Sequence, residues 1–351
     1  MFLLVSFLVY GAPKKEIPPE SRDAERAQQL FTDSVGRRVA LPKTITRIVP
    51  SGALAQMFLL AIAPDKVCAI SSPYDRAQAA FIPSAFTELP VVGQFYGAAN
   101  LNPEEIARIG PDVVIDIGEP KDAIAQDMDA ITASIGIPTI HITATLQSTP
   151  GAFRTLGTLL DRETQGEALA RFCEKTLAAA EAIARQAGNT KKSVLYCLGS
   201  SGLNVLAQGT FHTEVLDWMA DNRATVDNPS SRGSGNETNL EQILLWDPEV
   251  ILFGPGSIYA SAAQDPTWRE LKAIQQGTYY EVPWGPYNWM GSPPAINRYL
   301  GMLWLGAILY PEYAAYDLYE ETAEYYRLFY GYELSPERFK ALTRTALPGP
   351  R

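Results

Sequence analysis

Apolar positions along this chain fall into short unbroken runs divided by stretches of helical period, and one such arrangement occurs twice. Residues 104 to 115 read Glu-Glu-Ile-Ala-Arg-Ile-Gly-Pro-Asp-Val-Val-Ile, and residues 241 to 252 read Glu-Gln-Ile-Leu-Leu-Trp-Asp-Pro-Glu-Val-Ile-Leu. Glu104 thus lies over Glu241, Ile106 over Ile243, Pro111 over Pro248 and Val113 over Val250. Each copy predicts a short helix, a Pro turn and a buried strand. Pro cannot continue a helix, and an apolar run without alternation suits a parallel strand covered on both faces. The repetition predicts two related α/β lobes with a cleft between them. The other reading is chance, because helix-Pro-strand connections are common in α/β proteins.

The same pattern places a hairpin-like stretch at Phe31 to Val39 and strands at Ile45 to Val49, Val67 to Ile70, Val113 to Ile117 and Thr139 to Ile142. The strand ending at Val49 runs into Pro50-Ser51-Gly52 and then the apolar helix Ala53 to Ala63. A strand, small-residue turn and helix in that order leave backbone N–H groups free at the C-terminal edge of a parallel sheet, where α/β folds bind ligands. Thr164 to Ala187 has one long helical period, with Leu169, Phe172, Thr176, Ile183 and Ala187 near one face. At 1.5 Å per residue this is a rod of roughly 36 Å, long enough to join two lobes; a surface helix of the first lobe is the alternative.

Beyond it come a strand at Ser193 to Leu198 entering Gly199-Ser200-Ser201-Gly202, a helix at Thr213 to Ala220 and a polar loop from Asn222 to Asn239. The repeated unit follows, then a helix at Thr267 to Gln276 and a strand at Tyr280 to Pro283. Ser292-Pro293-Pro294 caps a last apolar helix, Ala295 to Leu309. The expected fold is α/β: two Rossmann-like lobes with mostly parallel sheets, residues 30–160 and 191–345, joined by a connecting helix within 161–190. Residues 1–29 hold a short apolar segment and a polar tail, the shape of a signal peptide's hydrophobic region without its positively charged start. Export is expected.

Composition narrows the function. The chain has 351 residues, 46% hydrophobic and 19% charged, enough to bury two cores. A formal net charge of -10 argues against nucleic acid or anionic membrane as partner, because both require a basic face. Cys68, Cys173 and Cys197 show no CxxC spacing, which leaves a single Cys68–Cys197 bridge open, and His141 and His212 are too few for a naked transition-metal site. No metal ligands or cofactor are expected; a metal would arrive already chelated. Phosphate-loop, dinucleotide, nucleophile-elbow and zinc-protease motifs are absent, and Gly199-Ser200-Ser201-Gly202 has no triad partners in view. Aromatic residues are conspicuous in the predicted loops: Phe95 and Tyr96, then Trp284, Tyr287 and Trp289. They suit a bulky, partly apolar ligand, or they fill gaps between loop and core.

Several strings, in order, carry a family resemblance. They are Arg47-Ile48-Val49-Pro50-Ser51 with its helix, Val92-Gly93-Gln94, Asn102-Pro103-Glu104-Glu105-Ile106 through Ile115, Leu240-Glu241-Gln242-Ile243 through Ile251, Trp268-Arg269-Glu270-Leu271-Lys272-Ala273-Ile274 and Leu309-Tyr310-Pro311-Glu312. Across residues 31–340 the chain is similar to the periplasmic binding proteins of ABC importers for iron-siderophore, haem and cobalamin complexes, a family that also includes molybdate and tungstate binders. It departs from the family in having Met219-Ala220-Asp221-Asn222 where a Gly-Gly element is usual, and in lacking a lipid-anchor cysteine.

The resemblance implies a two-lobe protein whose long helix permits little hinge motion, and whose function is binding without turnover. It implies capture of a ferric chelate and delivery to an ABC permease dimer with its ATPase subunits, by an exported monomer in the periplasm or on the outer face of the cytoplasmic membrane. Ser51, Gln94 and Tyr96 would face the ligand from the first lobe, and Trp284, Tyr287, Asn288, Trp289 and Arg298 from the second. Arg298, in the first turns of its helix, would hold anionic oxygens of the chelate. Glu104 and Glu241 fall where one acidic residue per lobe meets permease arginines; solvated carboxylates favourable to their helix dipoles are the alternative. Rival ligands are an oxyanion, haem or cobalamin, and an enzyme acting in the cleft is the remote rival.

Overall fold

The computed structural model describes residues 28–348. The apolar segment expected to direct export lies outside them. In the first lobe, strands Ile48–Pro50, Val113–Gly118 and Thr139–Thr143 pair in parallel in that order. Single parallel bridges from Ile48 to Val67 and from Ile70 to Val91 extend the sheet. The predicted hairpin pairs Gln28–Thr32 with Arg38–Pro42. In the second lobe, Tyr279–Glu281, Val250–Phe253 and Ser193–Leu198 are parallel neighbours. Ser193–Leu198 also pairs with Asp221–Asn222 in parallel at its start and with Asn204–Val205 in antiparallel at its end. The predicted polar loop contains the short edge strand Asn236–Glu237.

Alternation along the strands divides the interior. Val49 and Val114 face a core with Ile106, Met128 and Ile131, and Leu195, Cys197, Ile251 and Phe253 face another with Ile243, Trp268 and Ile274. The opposite faces, Ile115, Ile117 and Ile140 of one sheet and Val194, Tyr196 and Leu252 of the other, belong to a single core common to both lobes. All three cysteines are free thiols, so no Cys68–Cys197 bridge exists.

The long helix spans Glu163–Ala187 and buries Leu169, Phe172, Cys173, Thr176, Ala180 and Ile183. It crosses Thr149–Leu159 backbone to backbone: a Cβ on Gly166 would sit 2.6 Å from the Phe153 carbonyl oxygen and 3.1 Å from Gly157 Cα. Arg154 clasps the crossing, donating to Glu167 and Glu174 at 2.7 and 2.6 Å. The C-terminal helices Arg298–Leu309 and Leu318–Tyr330 fold back into the shared core. Phe329 packs edge-on against Phe153 and Phe172, and Phe153 stacks on Phe58 of the first-lobe helix Ala53–Ile62. Two further bonds join distant segments: Tyr287 and Tyr74 hydroxyls meet at 2.9 Å, and the Tyr299 hydroxyl donates to the Leu146 carbonyl at 2.7 Å. With a stiff rod and these ties, ligand binding should change the overall dimensions very little, and small-angle scattering should show it. A contraction of several ångströms in radius of gyration would contradict this.

Two predicted helices, Ala53 to Ala63 and Thr164 to Ala187, differ by one residue at one end, and three others differ more. Thr213–Ala220 shortens to Glu214–Met219, and Ala295–Leu309 starts at Arg298. Thr267–Gln276 divides into a 3₁₀ turn, Trp268–Glu270, and Lys272–Gln276, because the buried Leu271 between them is extended. The repeated unit is the same in both lobes. Helices Pro103–Ile109 and Leu240–Trp246 are capped by the side chains of Asn102 and Asn239, accepting from backbone N–H groups at 3.0 and 2.8 Å. Each exits through a left-handed residue, Gly110 or Asp247, into a fully buried strand. Glu104 and Glu241 are each the second residue of their helix, and both are exposed.

Candidate functional site

A cleft of about 420 Å³ opens where the first-lobe strands end. Ile48–Pro50 stops at Ser51, and Gly52, extended and without a side-chain cap, starts the helix Ala53–Ile62. The first-turn N–H groups of a helix have no partner within it, so this end faces the cleft as a set of donors. The loop beside it is fixed by Phe95 N–H donating to the Ser51 carbonyl at 2.8 Å and Gln94 N–H to Asn100 Oδ1 at 3.0 Å. Gly118, Glu119 and Lys121 continue the wall from the end of the central strand. The second lobe contributes Phe211, His212, Ser231–Gly233, Pro293 and Pro294. An adjoining hollow of about 240 Å³, which shares His212 and Gly233, is lined by Tyr196, Trp284 and Asn288.

Two carboxylates underlie the first-lobe wall, Asp116 buried and Asp127 half-buried. The Ser51 hydroxyl donates to Asp116 Oδ1, and Asp116 Oδ2 lies 2.7 Å from His141 Nδ1. This order, Ser to Asp to His, differs from a catalytic triad: the imidazole is beyond the carboxylate and does not adjoin the hydroxyl. The Tyr96 hydroxyl donates to Asp127, and burial first, with Asp127 second, holds its pKa well above the usual phenol range. The Lys121 ammonium stands 3.4 Å above the Tyr96 ring centre. On the facing wall, burial lowers the pKa of His212, so its ring is neutral at physiological pH. Lys121 and Arg232 are exposed at the rim.

Of the residues singled out in the sequence, Ser51, Gln94 and Tyr96 line the cleft, with Gln94 Nε2 donating to Ser72 Oγ at 2.6 Å. Trp284 and Asn288 line the adjoining hollow and not the cleft itself. Tyr287 and Trp289 belong instead to the shared core, 7% and 0% exposed. Their loop folds inward because Asn288 ties it down: its side chain donates to the Tyr196 hydroxyl at 3.1 Å and accepts from Met290 N–H at 2.8 Å, and its carbonyl accepts from Asn297. Arg298 is also buried, bonded to Glu214 at 2.6 Å and set 4.5 Å from the Phe211 ring centre. Burial lowers its pKa, with Glu214 opposing. It supports the Phe211–His212 wall and does not face the cleft. Asp116 and Phe211–His212 were not anticipated. A carboxylate inside the apolar run Val113–Ile117 was the available signal for Asp116; the Phe211–His212 turn carries none.

The sequence matches the profile of a family described as Periplasmic binding protein over residues 56–284. A comparison with curated proteins gives no match. Among solved structures, an ABC transporter solute binding protein from Sulfurospirillum deleyianum is similar at 30% identity and TM-score 0.82, covering 90% of this chain and 99% of that one. The molybdate periplasmic binding protein MolA of Haemophilus influenzae, bound to molybdate, shares the fold at 18% identity and TM-score 0.68, over 88% and 99% of the two chains. The catecholate-siderophore binding protein VctP of Vibrio cholerae does so at 17% identity and TM-score 0.55, over 73% and 91%. With the profile spanning well over half its length and the two-lobed architecture to match, this chain belongs to the periplasmic binding protein family.

Proposed function

We propose that the chain is the extracytoplasmic solute-binding component of an ABC importer and that it carries a metal chelate, a ferric siderophore first among them. The observation that carries this reading is the cleft itself. Its volume of about 420 Å³ falls within the range of pockets that enclose whole organic ligands, and Tyr96 and Phe211 give it aromatic walls. Free helix N–H groups, Lys121 and Arg232 suit the anionic oxygens of such a complex. VctP, a protein of the same fold, is named for catecholate siderophores. The helix end by itself would also suit a small oxyanion, as in the molybdate-bound MolA, and that is the second reading. Native mass spectrometry against ferric siderophores, haem, cobalamin and molybdate decides between them. The expected result is an intact ferric chelate bound one to one; molybdate retained in preference to every chelate would replace it, and a chemically altered ligand would point to an enzyme.

The permease partner is read from the repeat. Glu104 and Glu241 hold the same position in the two copies, exposed in the first turn of corresponding helices, one in each lobe. One carboxylate per lobe matches a two-fold partner with an arginine on each subunit. Glu104→Lys with Glu241→Lys should reduce permease-dependent uptake at least tenfold while ligand affinity stays within a few fold, because reversed charge opposes docking at two places and neither residue lines the cleft. Unchanged uptake would remove the assignment.

A further inference from the structure

We propose that Asp116, held by His141, makes the cleft floor a hydrogen-bond acceptor, so that the ligand must present an O–H, N–H or metal-bound water there and a fully deprotonated oxyanion is rejected. The proposal rests on the reading of the cleft as the ligand site and names what that site selects.

Asp116 is in the central strand of the first lobe, every residue of which is buried, and its side chain is 7% exposed, at the cleft. Ser51 and His141 come from the strands on either side, with Pro50 in register with Ile115 and Asp116 with His141. Isolation would make a carboxylate at this depth costly, and two donors relieve that cost. His141 is wholly buried; its backbone N–H donates to Asp33 at 3.3 Å and its Nε2 lies 3.3 Å from Thr143 Oγ1, so the ring is fixed from both sides.

A serine hydroxyl has one proton and an ionised carboxylate has none. With the Ser51 proton committed to Asp116, both groups present only lone pairs to the cleft. The Tyr96 proton is committed in the same way to Asp127. Donors on this wall are therefore the helix N-terminus, Lys121 and the second amide hydrogen of Gln94, beside a floor at Ser51 and Asp116 that only accepts. A ligand with anionic oxygens and a donor satisfies both parts. A bare tetrahedral oxyanion sets lone pairs against lone pairs, a mismatch that selects by repulsion.

The first test needs no ligand. The chain has two histidines, so nitrogen-detected NMR of the full-length protein resolves each ring. Nδ1 of His141 should carry the proton; a bare Nδ1 with the proton on Nε2 would place a proton on Asp116 and overturn the proposal. In the second, calorimetry with sodium molybdate at neutral pH should show no binding up to millimolar concentrations, and Asp116→Asn, whose amide offers N–H to the cleft, should bind it at least tenfold more tightly. Micromolar binding by the unaltered protein, or no gain in the variant, overturns the proposal. Adding Gly52→Trp, which fills the cleft, to Asp116→Asn should abolish the gained binding. A gain that survives would show that the cleft is not the site, a failure of the underlying reading and not of Asp116 alone.

Discussion

Gly52→Trp should abolish ligand binding, a loss of at least a hundredfold, while the protein melts close to its normal temperature. Gly52 is extended, at φ -173 and ψ -176, a conformation open to any residue, and a Cβ built there meets no atom within 4 Å. It lines the cleft, so an indole from this position fills the cleft volume and covers the free N–H groups of the first helical turn. The change at the N-cap alters stability by about 1 kcal/mol or less, since glycine is only a moderate cap. Gly52→Ala, which adds a single methyl, should bind within tenfold of the unaltered protein. Titration of both variants with the chelate identified by mass spectrometry, beside thermal melts, checks this. Normal binding by the tryptophan variant would exclude the cleft as the site.

Trp289→Ala and Tyr287→Ala should act in the opposite sense, each destabilising the fold by about 3–5 kcal/mol, the usual cost of removing a buried aromatic side chain. Trp289 has no exposed surface, and its carbonyl oxygen would lie only 2.6 Å from a Cβ on Gly301, so the loop and helix are packed with no slack. Loss of Tyr287 additionally removes the hydroxyl that meets Tyr74 at 2.9 Å. Denaturant titration measures the loss directly. Variants that unfold like the parent but lose the chelate would restore these two residues to the ligand site, where their loop position had suggested them.

The aromatic loop shows where reading a sequence stops. Trp284, Tyr287 and Trp289 lie outside any periodic element, which is compatible equally with a ligand wall and with a plug. Bonds from Asn288 to Tyr196 and Asn297 decide between the two, and they join positions 92 and 9 residues apart in the chain. By contrast, the repeated units were legible because cap, Pro turn and buried run are local signals, and the long helix because its period is sustained. Thr149–Leu159 was not singled out: Pro150, Gly151 and Gly157 are poor helix formers, and the helix exists through its close crossing with Gly166. Ser51 and Gln94 were legible as turns at strand ends. The facing wall at Ser231–Gly233 was not, because it lies in a polar stretch without period, held by Asn236 bonding to Ser230 N–H at 2.8 Å and to the Asn228 carbonyl at 2.9 Å.

The core common to both sheets makes the two halves thermodynamically inseparable. Phe58, Phe153, Phe329 and Phe172 touch in that order, and Phe329 comes from a helix that follows the second lobe in the chain. A chain cut after the long helix would keep Ala53–Ile62 against the first sheet but would bare the faces of that helix and of Glu163–Ala187 on which Leu318–Tyr330 packs. The first lobe therefore cannot complete its fold during synthesis until the C-terminal helices have emerged, and its cooperativity is that of the whole chain and not of a domain.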